Sequence, residues 1–382
     1  MSATPLALWS VKMNTVGRLS IGVMLTLGCG KEYDIVPIAP EVDPGDYMDC
    51  PFSDLDEAAA ISVYDCNPVF DTTDESWGSY VGSVGFYTNL VLGHPVYQIW
   101  YVANTDADDY FSEWGVGTAV STNGTDWDPH PDNPLLSDVS GAWDADGMAA
   151  LQVVRDTSMD RYVMAYQGYI YDEWLDAWSI GVGVASSVDG ISWERSAANP
   201  VLEQQVVYNG DIYITWPFSL YAGEAGGVTA YVGASRSGEA VDMYAAQLSE
   251  DLADWDIMGE PVIEAGPESY DEEGISDASV VKVGDTYYMF YVGFSDWEDI
   301  GGGARSPKQS TLNLATSRSG ISWEKHSGNP LPVHLTSDKE ITAVAAQVLG
   351  GQIHLWVTDN YATSGETTHT AVGYYLIDPE GL

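Results

Sequence analysis

An Asn-Pro step followed by apolar residues recurs along the chain, at Asn67-Pro68, Asn133-Pro134, Asn199-Pro200 and Asn329-Pro330, with a weaker copy at Glu260-Pro261. The copies stand about 65 residues apart. A repeat of that length defines one supersecondary unit used several times, and it constrains the fold more than any other feature. A turn closed by tryptophan precedes four of the five copies: STNGTDW (121–127), SSVDGISW (186–193), EDLADW (250–255) and SRSGISW (317–323). Between these signals lie runs such as YQIWYVA, RYVMAYQG and TYYMFYVG, which alternate as half-buried strands do, and then small-apolar runs such as IGVGVASS. Each unit therefore reads as four strands joined by tight turns, with Gly accepting positive φ in the Asp-Gly and Ser-Gly pairs. Five such units predict an all-β fold, a five-bladed β-propeller of four-stranded antiparallel blades. The fifth unit lacks its outer strand, and the strand-like run Ile61–Asp65 precedes the first unit. The expectation is a ring closed by this N-terminal strand, which leaves no free edge. A β-sandwich is the alternative.

The charge balance excludes whole classes of partner. Fifty-seven Asp and Glu face 13 Lys and Arg among 382 residues, a formal net charge of −44. Such a surface repels nucleic acid and anionic glycans. It also predicts self-repulsion, and hence greater stability in high salt.

The amino terminus reads as an address. Lys12 and Arg18 precede the apolar stretch Leu19–Leu27, which ends in Gly28-Cys29, the layout of a secretory signal. The segment TLGCG resembles a bacterial lipoprotein cleavage box with Cys29 as the lipidated residue. A plain signal peptide is the alternative, and either Met1 or Met13 fits as the start. The expectations are a signal over 1–28, an acidic Pro-containing tether over 29–60 and the repeat domain over 61–382. They make the chain exported, a bacterial outer-membrane or cell-surface lipoprotein that meets the membrane only through its lipid. In an oxidising compartment the two other cysteines, Cys50 and Cys66, most simply form a disulfide.

The pattern Tyr-x-Gly followed by IGVGVASSVDGISWERSAANPVL (180–202) resembles the five-bladed propellers of the glycoside hydrolase family 43, 32 and 130 grouping, over about residues 61–380. The resemblance implies acids on the innermost strands around a central funnel, one of them protonated to serve the leaving oxygen. Asp277, in GISDASVV, keeps the acid register. Ala150, Leu151 and Ala343 stand where other acids would, and the third segment reads TWPF, so the family's catalytic triad does not carry over residue by residue. The candidate catalytic carboxyls are Asp277, Asp146, Asp211, Glu273 and Glu340. Asp144, Asp271 and Glu272 lie in the same segments. Trp77, Trp143, Tyr208 and Trp216 are candidate stacking platforms for sugar rings. No cofactor is required. Asp144 and Asp146, two apart before a glycine, suit Ca²⁺ without completing an EF-hand loop, and the six histidines show no zinc spacing.

Two functional readings stand. One is a lipid-anchored monomeric glycosidase acting on a neutral polysaccharide or oligosaccharide by carboxylate acid/base hydrolysis. The other is a catalytically degenerate propeller that binds glycan or a protein partner.

Overall fold

The computed structural model describes residues 50–56, 61–70, 80–91, 94–104, 114–139, 141–172, 177–203, 206–207, 212–223, 226–236, 240–301, 304–333, 341–362 and 368–382, with two short segments at 12–13 and 19–20. The chain divides into two units, Met1–Asp49 and Cys50–Leu382. In the first, Lys12–Met13 pairs antiparallel with Leu19–Ser20. The signal boundary, Cys29 and most of the expected tether lie outside the described residues.

The second unit is all-β. It holds four multi-stranded sheets, three of five strands and one of nine. The nine-stranded sheet consists of two antiparallel meanders joined by one parallel bridge, Val241 with Gly274. The sheets thus contain five meanders, one per sequence repeat. Their leading strands are Tyr80–Val91, Gly147–Asp156, Ile212–Ala222, Gly274–Val283 and Ile341–Leu349. Each leading strand lies beside the next in this order, and the fifth lies beside the first. The last meander ends in Thr368–Ile377, which pairs with Ile61–Tyr64 through Ile377↔Ile61. Phe52–Asp56 then adds a further antiparallel strand beyond Ile61–Tyr64. The tether reading of 29–60 is therefore amended at its end, because residues 52–56 belong to a sheet. Cys50 and Cys66 flank this strand pair and are joined as a disulfide, with Cα atoms 5.8 Å apart.

Five apolar cores lie between consecutive meanders. Trp100, Val102, Met164 and Tyr166 fill the space between the first and second. Val163, Ala165, Ala230 and Val232 fill the next. Met243, Ile275, Met289 and Tyr291 follow, then Phe290, Val292, Leu355 and Val357. The fifth core joins the last meander to the first, through Ile99, Tyr101, Trp356 and Tyr374. The second strands therefore differ from the expectation of half-buried strands. Ile99, Trp100, Tyr101, Val102 and Ala103 are all completely buried, because alternate residues enter two different cores.

Polar contacts repeat across the same seams. The Trp100 indole N–H donates to Gly190 O at 2.7 Å, the Tyr231 hydroxyl to Gly320 O at 2.8 Å, and the Trp356 indole to Gly124 O at 3.2 Å. Each acceptor is the glycine of a turn read from the sequence. These glycines have φ of 81°, 77° and 74° at 124, 190 and 320, the left-handed region that disfavours a side chain. At Gly190 a Cβ would also stand 2.9 Å from Trp100.

The Asn of each Asn-Pro step has an equally direct role. Asn133 Oδ1 accepts from Thr118 N–H while Nδ2 donates to Thr118 O. Asn199 grips Val184 in the same way, Asn329 grips Leu314, and Asn67 grips Tyr374. An amide with one acceptor and two donors suits this paired grip on a strand backbone. Glu260 carries no such amide, and its meander uses backbone bonds between Met243 and Val262–Ile263 instead.

Candidate functional site

Two leading strands begin with the same short arrangement, Asp144-Ala145-Asp146-Gly147 and Asp271-Glu272-Glu273-Gly274. Gly147 and Gly274 have φ of 153° and 150°. A Cβ there would stand 2.3 Å from Tyr169 and 2.7 Å from Phe294, so a glycine is needed where the chain turns into the strand.

The first acid of each arrangement is buried against a cation from the meander's outer strand. Asp144 lies 3.3 Å from Arg195 Nε and accepts from the Tyr166 hydroxyl at 3.3 Å. Asp271 lies 2.6 Å from Lys325 Nζ and accepts from the Tyr291 hydroxyl at 3.1 Å. Burial pushes the Tyr166 hydroxyl up to about 12, with Asp144 adding to the rise. Burial likewise raises the Asp271 carboxyl, opposed by Lys325. Asp144, a candidate Ca²⁺ ligand from the sequence, stands in an ion pair with Arg195. Among the described residues no group of three or more His, Cys, Asp or Glu is placed to hold a metal.

The second acid of each arrangement lies at the mouth of its strand. Asp146 is half-buried, and its N–H donates to Tyr169 O. Glu273 is exposed, and its Oε2 accepts from the Trp297 indole N–H at 3.1 Å. Trp297 is half-buried, with its ring packed edge-on at 4.6 Å from Phe294. It stands on Thr286–Gly301, the longest strand described, which pairs with Ala304–Ser317 beyond the body of the meander.

Asp277 sits deeper, one step past a register shift in its strand, and is 2% exposed. Its Oδ1 accepts from Val344 N–H at 3.0 Å and its Oδ2 from Gln152 Nε2 at 3.2 Å. Two residues on, Ser279 Oγ accepts from Ala346 N–H at 2.9 Å. These contacts link the leading strands of the second, fourth and fifth meanders. No cation faces Asp277 among these contacts, so burial drives its carboxyl well above the ordinary value of 3.8, against the two donors.

The aromatic candidates separate. Trp143 is half-buried. Its ring covers Gly168 and Gly183, where a Cβ would stand 2.3 Å and 2.5 Å from it, and it packs 5.6 Å from Tyr166. Trp216 lies within its leading strand, paired with Gly233. Trp77, Tyr208, Asp211 and Glu340 lie outside the described residues. Sequence reasoning missed Trp297 and Gln152. The repeated Asp-x-acid-Gly pattern was the signal that would have aligned Glu273 with Asp146.

No family model and no curated protein matches the chain. Solved structures do match in fold. A GH32 beta-fructofuranosidase of Bombyx mori superposes with a TM-score of 0.55 at 15% identity, covering 78% of this chain and 59% of that one. A thermostable family-43 glycoside hydrolase gives 0.53 at 16%, covering 78% and 91%. A family 117 glycoside hydrolase of the marine bacterium Zobellia galactanivorans gives 0.53 at 14%, covering 81% and 87%. At these identities the likeness establishes a shared fold with carbohydrate-active enzymes.

Proposed function

We propose that the chain is a carbohydrate-acting five-bladed β-propeller that takes a neutral glycan at the face where its leading strands begin. The propeller reading is supported by the five cores in cyclic order, and Ile61–Tyr64 is its closing strand. The observation that carries the glycan reading is the Glu273–Trp297 pair. It sets a carboxyl oxygen and an indole edge together at a strand mouth, on a fold shared with glycoside hydrolases. Sugar hydroxyls suit the carboxylate, and sugar C–H faces suit the indole ring. The charge of −44 favours a neutral ligand over an anionic one at this acidic face. Export and anchoring through Cys29 complete the reading.

A second reading, hydrolysis, is favoured by Asp277. A glycosidase needs one carboxyl that keeps its proton and another that does not. Burial gives Asp277 the first property, and Glu273 is the solvent-facing acid of the same strand mouth.

Retention of the mature protein on insoluble neutral polysaccharides tests the first reading, with Glu273→Gln and Trp297→Ala as variants. Loss of retention in both supports the assigned seat. Unchanged retention in both overturns it. Release of reducing sugar that disappears in Asp277→Asn supports hydrolysis, and retention without release leaves a binding propeller.

A further inference from the structure

The turns that end in tryptophan are built alike, and one of them differs in its chemistry. In the second repeat Asp189 Oδ1 accepts from Ile191 N–H at 2.8 Å, from Ser192 N–H at 2.7 Å and from the Ser187 hydroxyl at 2.8 Å. In the third, Asp251 Oδ1 accepts from Ala253 N–H and the Ser249 hydroxyl. In the fourth, Ser319 Oγ accepts from the N–H groups of Ile321 and Ser322. In the first, Asn123 takes this position. Its Oδ1 accepts from Thr125 N–H at 3.0 Å, from Asp126 N–H at 2.9 Å and from the Ser121 hydroxyl at 2.9 Å. The turn requires only an accepting oxygen, yet Asn123 also brings an NH₂ group, and its Nδ2 donates to Asp126 Oδ2 at 2.7 Å.

Asn123 is half-buried and is followed by Gly124. An Asn-Gly step occurs once more, at 209–210, outside the described residues. An asparagine before glycine is open to attack by the next backbone nitrogen, because glycine has no side chain to hinder it. In that reaction the Gly124 nitrogen loses its proton and bonds to Asn123 Cγ, the Cγ–Nδ2 bond breaks, and ammonia leaves with the proton. Water then opens the cyclic imide at either carbonyl and leaves aspartate or isoaspartate. The fold opposes the first step from both sides of Gly124. Gly124 N–H donates to Ser121 Oγ at 2.8 Å. Gly124 O accepts from the Trp356 indole across the seam between the last and first meanders.

We propose that Asn123 is a latent deamidation site, closed by Ser121 in the folded chain, and that its conversion weakens the seam between the last and first meanders. Aspartate at 123 keeps the accepting oxygen, as Asp189 does. It also sets a second carboxylate against Asp126, where a hydrogen bond of 2.7 Å now stands. The third turn already carries acids at both positions, and there Asp254 N–H bonds to Ser249 Oγ at 3.0 Å in place of the first acid. Isoaspartate lengthens the main chain by a methylene and carries the oxygen away from the N–H groups of Thr125 and Asp126. Either product loosens the turn whose Gly124 receives Trp356, and the change is irreversible. This inference does not depend on the glycan reading.

Peptide mapping by mass spectrometry tests this on the full chain, incubated in mildly alkaline buffer with and without urea. Conversion at Asn123 is expected to be about tenfold slower in the folded chain than in the unfolded one, with Ser121→Ala recovering much of the lost rate. Equal folded and unfolded rates, or a folded rate that Ser121→Ala leaves unchanged, overturn the proposal. Should Ser121→Ala fold poorly, the product decides. Asn123→Asp is expected to unfold at a lower urea concentration than the wild type, and Asn123→Asp/Asp126→Asn to restore it by placing the amide at 126. An Asn123→Asp chain as stable as the wild type overturns the proposal.

Discussion

Asp271 and Asp277 flank the start of one leading strand, and both are buried, yet the chain treats them in opposite ways. Asp271 faces Lys325 at 2.6 Å and Tyr291 at 3.1 Å. Asp277 receives only neutral donors, Val344 N–H and Gln152 Nε2. The first is a charge answered by a charge. The second is an acid whose proton is favoured by its surroundings. Burial alone therefore does not mark a functional carboxyl. The partner's charge separates an ion pair that fixes a strand from a group suited to proton transfer.

The sharpest way to break this contrast is Lys325→Met. It leaves Asp271 buried and without a cation, and a loss of about 3–5 kcal/mol in denaturant unfolding is expected. Gln152→Leu strips one donor from Asp277 and is expected to cost about 2 kcal/mol. A cost as large as that of Lys325→Met would show that Asp277 is charged after all. Tyr291→Phe removes one bond to Asp271 while the lysine stays, and about 1.5 kcal/mol is expected.

Asp277→Asn is expected to change stability by well under about 1 kcal/mol below about pH 3.8, where the carboxyl is neutral in both states and an amide oxygen still accepts from Val344, and to be the more stable protein near neutral pH. Its signature is in the pH profile. The folded-state value of Asp277 is raised above 3.8, so its contribution is full below about pH 3.8 and is lost as pH rises through the folded-state value. The variant should lose that part of the slope, seen as a difference between wild-type and variant unfolding curves from pH 4 to 8. Asp156 and Asp189 are shifted down: burial raises each, but several hydrogen bonds, joined by Arg161 beside Asp156, together outweigh it. They give the opposite slope in both proteins and cancel in the difference.

The repeat was legible because its marker residues act locally. The asparagines that recur in sequence are those that grip the neighbouring strand, and the turn glycines are those with positive φ. The third repeat was weak in sequence for a matching reason: Glu260 cannot make the grip, and Leu252 takes the turn position at φ 63°. The two-sided burial of the second strands was not legible, because alternation looks the same whether the other face meets water or another core. The ion pairs were hidden because Arg195 and Lys325 lie on outer strands far downstream of Asp144 and Asp271. Of the candidate site, Asp277 stood out by register, but its neutral surroundings come from two other meanders and leave no local trace.

The pairing of Ile61–Tyr64 with Thr368–Ile377 also imposes an order of events on synthesis. Ile61–Tyr64 emerges well before its sheet partner Thr368–Ile377 is made. Until Thr368–Ile377 is made, the fifth meander lacks this strand and the fifth core lacks Val372 and Tyr374. The residues of the first four meanders are thus made before the strand that completes the fifth core.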